Sequence, residues 1–151
     1  MKPSGEKLRS VLVSYEPSRA GDAALSHAVE VARETGATLT VASVAPQERT
    51  DVGCAHCHAN ARAWNEQLCL LAHQRLSTAA RTIGDTPDVH YLAACGPKRQ
   101  VLAQAARQCA ADLVVMPRPR AEPLRRRLRL SAVDDLSRRG SWQVVTAPRA
   151  A

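Results

Sequence analysis

The chain has 151 residues, enough for one domain with a substantial core and no need of external staples. Its formal charge of +7 comes mainly from arginine, which favours anionic partners at encounter without naming one. No apolar run reaches membrane-spanning length and the N-terminus has no apolar signal core, which points to a cytoplasmic protein and away from export. Phe is absent, and Trp64, Trp142, Tyr15 and Tyr91 are the aromatics, so the core must be built from Ala, Val and Leu packed closely.

Residues 1–7 are polar and are expected to fray, leaving a single domain over residues 8–148. Val11-Leu12-Val13 reads as a short buried strand. After the turn-like Glu16-Pro17-Ser18, Leu25, Ala28, Val29 and Ala32 fall at helical spacing, and Gly36 supplies a stop. Thr38 to Val44 is apolar and β-branched, a second strand. From Ala45 to about Asn60 the chain reads as a polar, irregular link. A second helix then runs to about Ile83, with Leu68, Ala72, Leu76, Ala79 and Ile83 on one stripe.

Val89 to Ala93 reads as the third strand and Lys98 to Cys109 as the third helix. Leu113 to Met116, Ser131 to Arg138 and Gln143 to Thr146 complete the series as strand, helix and strand. Near-continuous apolar strands alternating with helices predict a parallel sheet covered on both faces, with a ligand at the strands' carboxyl ends.

Ordered this way, the chain resembles the universal stress protein family. Val11-Leu12-Val13-Ser14-Tyr15-Glu16-Pro17-Ser18 looks like the family's first strand and acidic turn. Glu34-Thr35-Gly36-Ala37, then Leu39-Thr40-Val41, continues the match. Ala111-Asp112-Leu113-Val114-Val115 and residues 124–136 carry it furthest. The resemblance implies a three-layer α/β fold with a five-stranded parallel sheet, Rossmann-like and of the adenine nucleotide alpha hydrolase-like type. It also implies a homodimer through the last strand and a cytoplasmic role in stress survival.

Many members of that family bind ATP through an acidic residue after the first strand and a loop pattern G-x-x-G-x₉-G-[ST]. By this resemblance the pattern falls on Pro117, Arg120, Leu130 and Ser131, where the hydroxyl alone is kept; Glu16 stands for the usual aspartate, and Val44 lies where the adenine would rest. Glycines in such a loop let backbone N–H groups approach phosphate at positive φ. Pro117, Pro119 and Pro123 have no N–H to donate and stiffen the loop, while Arg120 and Leu130 add bulk. A main-chain cradle for ATP is therefore not expected.

Arg118, Arg120, Arg125, Arg126, Arg127 and Arg129 crowd the approach to the helix that opens at Ser131, where Asp134 completes a variant capping box. Guanidinium groups suit a small anionic ligand, and Glu16, Val44, Arg118, Arg120 and Ser131 form the candidate binding set. The plain alternative is a solvated basic connector with Ser131 as a helix cap. No aromatics interleave to stack bases, which argues against nucleic acid.

Cys54-Ala-His-Cys57-His58, with Cys69 and His73, gives C-x₂-C-x₁₁-C-x₃-H, close to structural zinc spacing. Cys54, Cys57, Cys69 and His73 are thus a candidate metal set. It closes only if the helix begins late, with Asn65 as its cap, or if the preceding loop folds back, because a helix rises about 1.5 Å per residue. A Cys54/Cys57 dithiol, covalent haem attachment, or a chemically idle loop are the other readings of the motif. Cys95 and Cys109 read as ordinary small hydrophobes and His27 and His90 as surface or packed histidines. No Ser/His/Asp arrangement or carboxylate pair suggests catalysis. The reading is a non-catalytic stress-response or regulatory protein; a metal or thiol sensor, or an ATP-binding family member, are the alternatives.

Overall fold

The computed structural model describes residues 7–46, 55–86, 88–119 and 132–148, with side chains from residue 62 in the second segment and from 133 in the last. Along the chain come β1 (Ser10–Ser14), α1 (Arg19–Thr35), β2 (Thr38–Ala45), α2 (Ala55–Ile83), β3 (Val89–Cys95), α3 (Lys98–Gln108), β4 (Leu113–Met116), α4 (Ala132–Arg138) and β5 (Gln143–Thr146). The strands are all parallel and ordered β3-β2-β1-β4-β5. Chain order therefore reverses direction at β1, and a crevice opens there at the carboxyl edge of the sheet.

Each central strand is buried on both faces, and its side chains divide by the twofold period of the pleat. Val11, Val13, Leu39 and Val41 pack with Leu25, Ala28 and Leu76 beneath α1 and α2. Leu12, Val44 and Val114 pack with Leu102, Leu136 and Trp142 beneath α3 and α4. Alanines at 24, 28, 72, 79, 103 and 106 keep the helices close to the sheet, so a core without Phe still fills. Among the described residues no helix is long and apolar enough to cross a membrane.

Local chemistry fixes the frame at both edges. Ser18 caps α1, its Oγ accepting from the Gly21 N–H at 3.0 Å, and Gly36 ends the helix at φ 70°. At the amino edge the Asp112 carboxylate accepts from the N–H groups of Arg9 and Ser10 at 2.9 and 3.2 Å, tying β1 to the entry of β4. Gly21 is buried against the turn before α1, where a β-carbon would run into the Glu16 carbonyl. That close approach sets where Glu16 stands.

Two expectations need correction. The link after β2 is shorter than the polarity of residues 45–60 suggested, since α2 already begins at Ala55. Its 29 residues extend about 44 Å, well beyond the strands it covers. The third strand also runs on to Cys95 rather than ending at Ala93, because its register with β2 continues through Ala45↔Cys95.

Candidate functional site

Glu16, Val44, Pro46, Arg75, Gly96, Pro97 and Lys98 line one cleft of about 380 Å³ at the carboxyl edge of the sheet. Each reaches it for a local reason. Glu16 lies two residues beyond β1, in the turn that Gly21 admits. Val44 is 5% exposed near the end of β2 and anchors the apolar wall. Gly96, at φ 137°, turns the chain out of β3 while its N–H donates to Ala45 O at 3.0 Å. Pro97 then opens α3 with no side-chain cap, and the first turn holds no acidic residue, so the helix itself supplies nothing to offset the positive end of its dipole.

Lys98 Nζ donates to Glu16 Oε1 at 2.6 Å, joining the acidic turn to the start of α3. This hydrogen bond holds the Glu16 carboxyl below the usual carboxylate range. Partial burial pushes the other way, and the charges of Lys98 and Arg75 add to the lowering. Arg75 comes from α2 and brings a second cation to the same carboxylate. Its Nε is buried without a hydrogen-bond partner, an unmet donor beside the cleft. Two cations and a helix N-terminus thus face one carboxylate, and the local balance is positive.

Of the binding residues expected from sequence, Glu16 and Val44 meet in this cleft. Arg118 is exposed just after β4 and is not among the cleft's lining residues. Arg120 and Ser131 lie outside the described residues, as do Leu130 and the run of arginines from Arg125 to Arg129. Pro46, Arg75, Gly96, Pro97 and Lys98 were missed. A signal for Lys98 existed, since it follows a Gly-Pro break at the carboxyl end of a strand. Arg75 was visible as a charged residue between Ala72 and Ala79 on an otherwise apolar stripe.

The proposed metal set is not assembled. Cys54 lies outside the described residues, and Cys57 falls within α2, twelve positions before Cys69. One helix therefore separates those two backbones by about 18 Å, too far for a single ion. Cys69 is instead disulfide-bonded to Cys95, with Cα atoms 6.0 Å apart, so Cys95 is not the simple small hydrophobe expected. His73 is exposed one turn beyond Cys69. Among the described residues no group of three or more His, Cys, Asp or Glu side chains could hold a metal ion. Cys109 is a free, half-buried thiol; His90 is exposed and His27 half-buried.

A second cleft, of about 500 Å³, lies towards the amino edge and is lined by Arg9, Ser10, Thr38, His90 and Asp112 among others. There Asp112 is engaged by the backbone of β1 and serves the frame of the fold.

Sheet order and the crevice at its switch point define a Rossmann-like three-layer α/β fold, and similar solved structures share this adenine nucleotide alpha hydrolase-like fold. Residues 7–148 match the universal stress protein family, and the chain belongs to that family. The fold is similar to universal stress protein UspA from Lactobacillus plantarum, at 17% identity and a TM-score of 0.77, covering 95% of this chain and 100% of that one. It is also similar to the universal stress protein from Archaeoglobus fulgidus in complex with dAMP, at 18% identity and a TM-score of 0.60, covering 95% and 100%. A universal stress protein in complex with cAMP gives 20% identity and a TM-score of 0.61, covering 94% and 98%. Against individually curated protein sequences the chain finds no match.

Proposed function

We propose that this member of the family is a non-catalytic stress-response or regulatory protein that takes a small anionic ligand at the Glu16 cleft, without a main-chain cradle for ATP. The observation that carries the reading is the Lys98–Glu16 ion pair with Arg75 above the same cleft. A carboxylate already bonded to a lysine is poorly free to accept hydroxyl donors from a sugar. The surplus cation and the uncapped start of α3 instead favour an incoming anion. The two similar structures that hold dAMP and cAMP each carry a nucleotide with one phosphate group. A ligand of that charge class suits this cleft better than a triphosphate, because Pro117 and Pro119 offer no N–H groups after β4.

Val44 supplies the apolar wall for such a ligand and Arg75 Nε an unfilled donor. The protein acts in this reading as a cytoplasmic homodimer joined through β5, which among the described residues is an edge strand of the sheet. Isothermal titration of the purified protein with inorganic phosphate, AMP and ATP tests the proposal, alongside nucleotide release by acid from fresh preparations. Binding of phosphate or AMP that Lys98→Met and Arg75→Met weaken about tenfold each is the expected result. Retained ATP, or ATP affinity far above that for AMP and unchanged by these substitutions, would overturn it.

A further inference from the structure

Cys69 and Cys95 lie one on each of the two arms that bring cations to the cleft, and their bond joins those arms. Cys95 ends β3, and Lys98 follows three residues later through the sharp turn at Gly96. Cys69 precedes Arg75 by six helical positions, about 9 Å along α2. It also marks a division within that helix. Beyond it, Ala72, Leu76 and Ala79 are buried against the sheet. Before it, among residues 62–68, Asn65 alone is buried and Trp64 is 51% exposed. The bond between Cys69 and Cys95 therefore pins α2 to the carboxyl edge of the sheet where its packed half gives out.

We propose that Cys69 and Cys95 form a reversible thiol–disulfide clamp that fixes the placement of Arg75 and Lys98 and so controls the affinity of the cleft. The control of affinity rests on the anion-binding reading above; the clamp itself does not. The co-reactant is a small disulfide, RS–SR. One cysteine thiolate attacks it, forming a mixed disulfide and expelling RS⁻. The second cysteine thiolate then attacks the protein sulfur of that mixed disulfide and expels the other RS⁻. Two electrons pass from the protein pair to RS–SR, and the two protons given up by the cysteines leave on the departing thiols. A small thiol drives the same steps in reverse. Both cysteines are half-buried rather than sealed in the core, so exchange has a route to them.

Oxidation orders the two cationic arms before a ligand arrives, and preorganisation strengthens binding by removing that ordering cost from the binding step. The test uses the full chain in two forms, reduced with dithiothreitol and oxidised with oxidised glutathione. Three readouts are compared: non-reducing peptide mapping, hydrogen exchange over residues 62–76 and 96–100, and calorimetric titration with inorganic phosphate and AMP. The expected result is a Cys69–Cys95 linked peptide, slower exchange in both segments of the oxidised form, and about fivefold tighter binding there.

The proposal fails if oxidation links Cys69 or Cys95 to Cys54, Cys57 or Cys109 instead, or leaves both thiols free. It fails equally if the probes bind and the linked and reduced forms bind them with the same affinity, or if the two forms exchange alike. A linked form with slowed exchange and no binding of either probe in either state would uphold the clamp and refute the anion reading. Because reduced wild-type protein is itself the unclamped state, no cysteine variant has to fold for any outcome to be read.

Discussion

Replacing Gly21 with alanine sets two opposite expectations against each other. Intrinsic helix propensity favours alanine over glycine by about 1 kcal/mol inside a helix, so a reading confined to α1 predicts a more stable protein. The tertiary structure predicts a loss. A β-carbon at position 21 meets the carbonyl oxygen, carbonyl carbon and amide nitrogen of Glu16. All three are backbone atoms, so no side-chain rotation relieves the contact and the turn between β1 and α1 must move. Overpacking of a filled site costs about 1–3 kcal/mol, and contact with backbone lies at the upper end of that range. Subtracting the propensity gain leaves a net loss of about 1–2 kcal/mol. For a domain of this size each kcal/mol shifts Tm by about 2–4 °C, so Gly21→Ala should melt about 2–8 °C lower. Calorimetry at neutral pH measures this, with Ser26→Ala on the exposed side of the same helix as a control expected to lie close to wild type. A Gly21→Ala protein as stable as wild type, or more so, would show that the turn yields freely and that Gly21 does not position Glu16.

Lys98→Met should raise the Glu16 pKa towards its ordinary value, followed by NMR titration of the side-chain carboxyl. Both partners are more than a third exposed, so the stability change should stay below about 1 kcal/mol. Because folding lowers the Glu16 pKa, the ion pair's contribution is complete above the ordinary glutamate range and disappears as pH falls through the depressed folded value; urea melts of wild type and variant should therefore converge in acid. Trp142 is buried and its Nε1 donates to Leu136 O at 3.0 Å, so Trp142→Ala should cost about 3–5 kcal/mol in denaturant unfolding. Ala110 occupies the left-handed region at φ 49° after α3 and is exposed, so Ala110→Gly should raise stability by about 0.5–1 kcal/mol, and a lower melting temperature would contradict the strain.

The division between what was legible in the chain and what was not follows the range of the interactions. Val11-Leu12-Val13 and Leu113-Val114-Val115-Met116 declare buried strands by themselves, since apolar residues on both faces have few other uses. Ser18 and Gly36 bracket α1 because capping is decided within a few residues. Glu16 and Val44 were put together by the family resemblance alone, and the pairing of β1 with β2 accounts for their lining one cleft. The start of α2 was misplaced because residues 55–60 are alanine, histidine, cysteine and asparagine, which carry no apolar stripe to mark a helix.

Tertiary structure decided the partners. Lys98 and Glu16 are 82 residues apart, and no local pattern says that the first residue of one helix will neutralise the turn before another. The same holds for Cys69, whose spacing to Cys54, Cys57 and His73 suggested zinc, while the packing of α2 on β3 delivered it to Cys95. Periodicity reports which face of an element is buried, a property of near neighbours along the chain. Which side chain waits on the other side of that face depends on how the layers stack, and that is set by the whole fold.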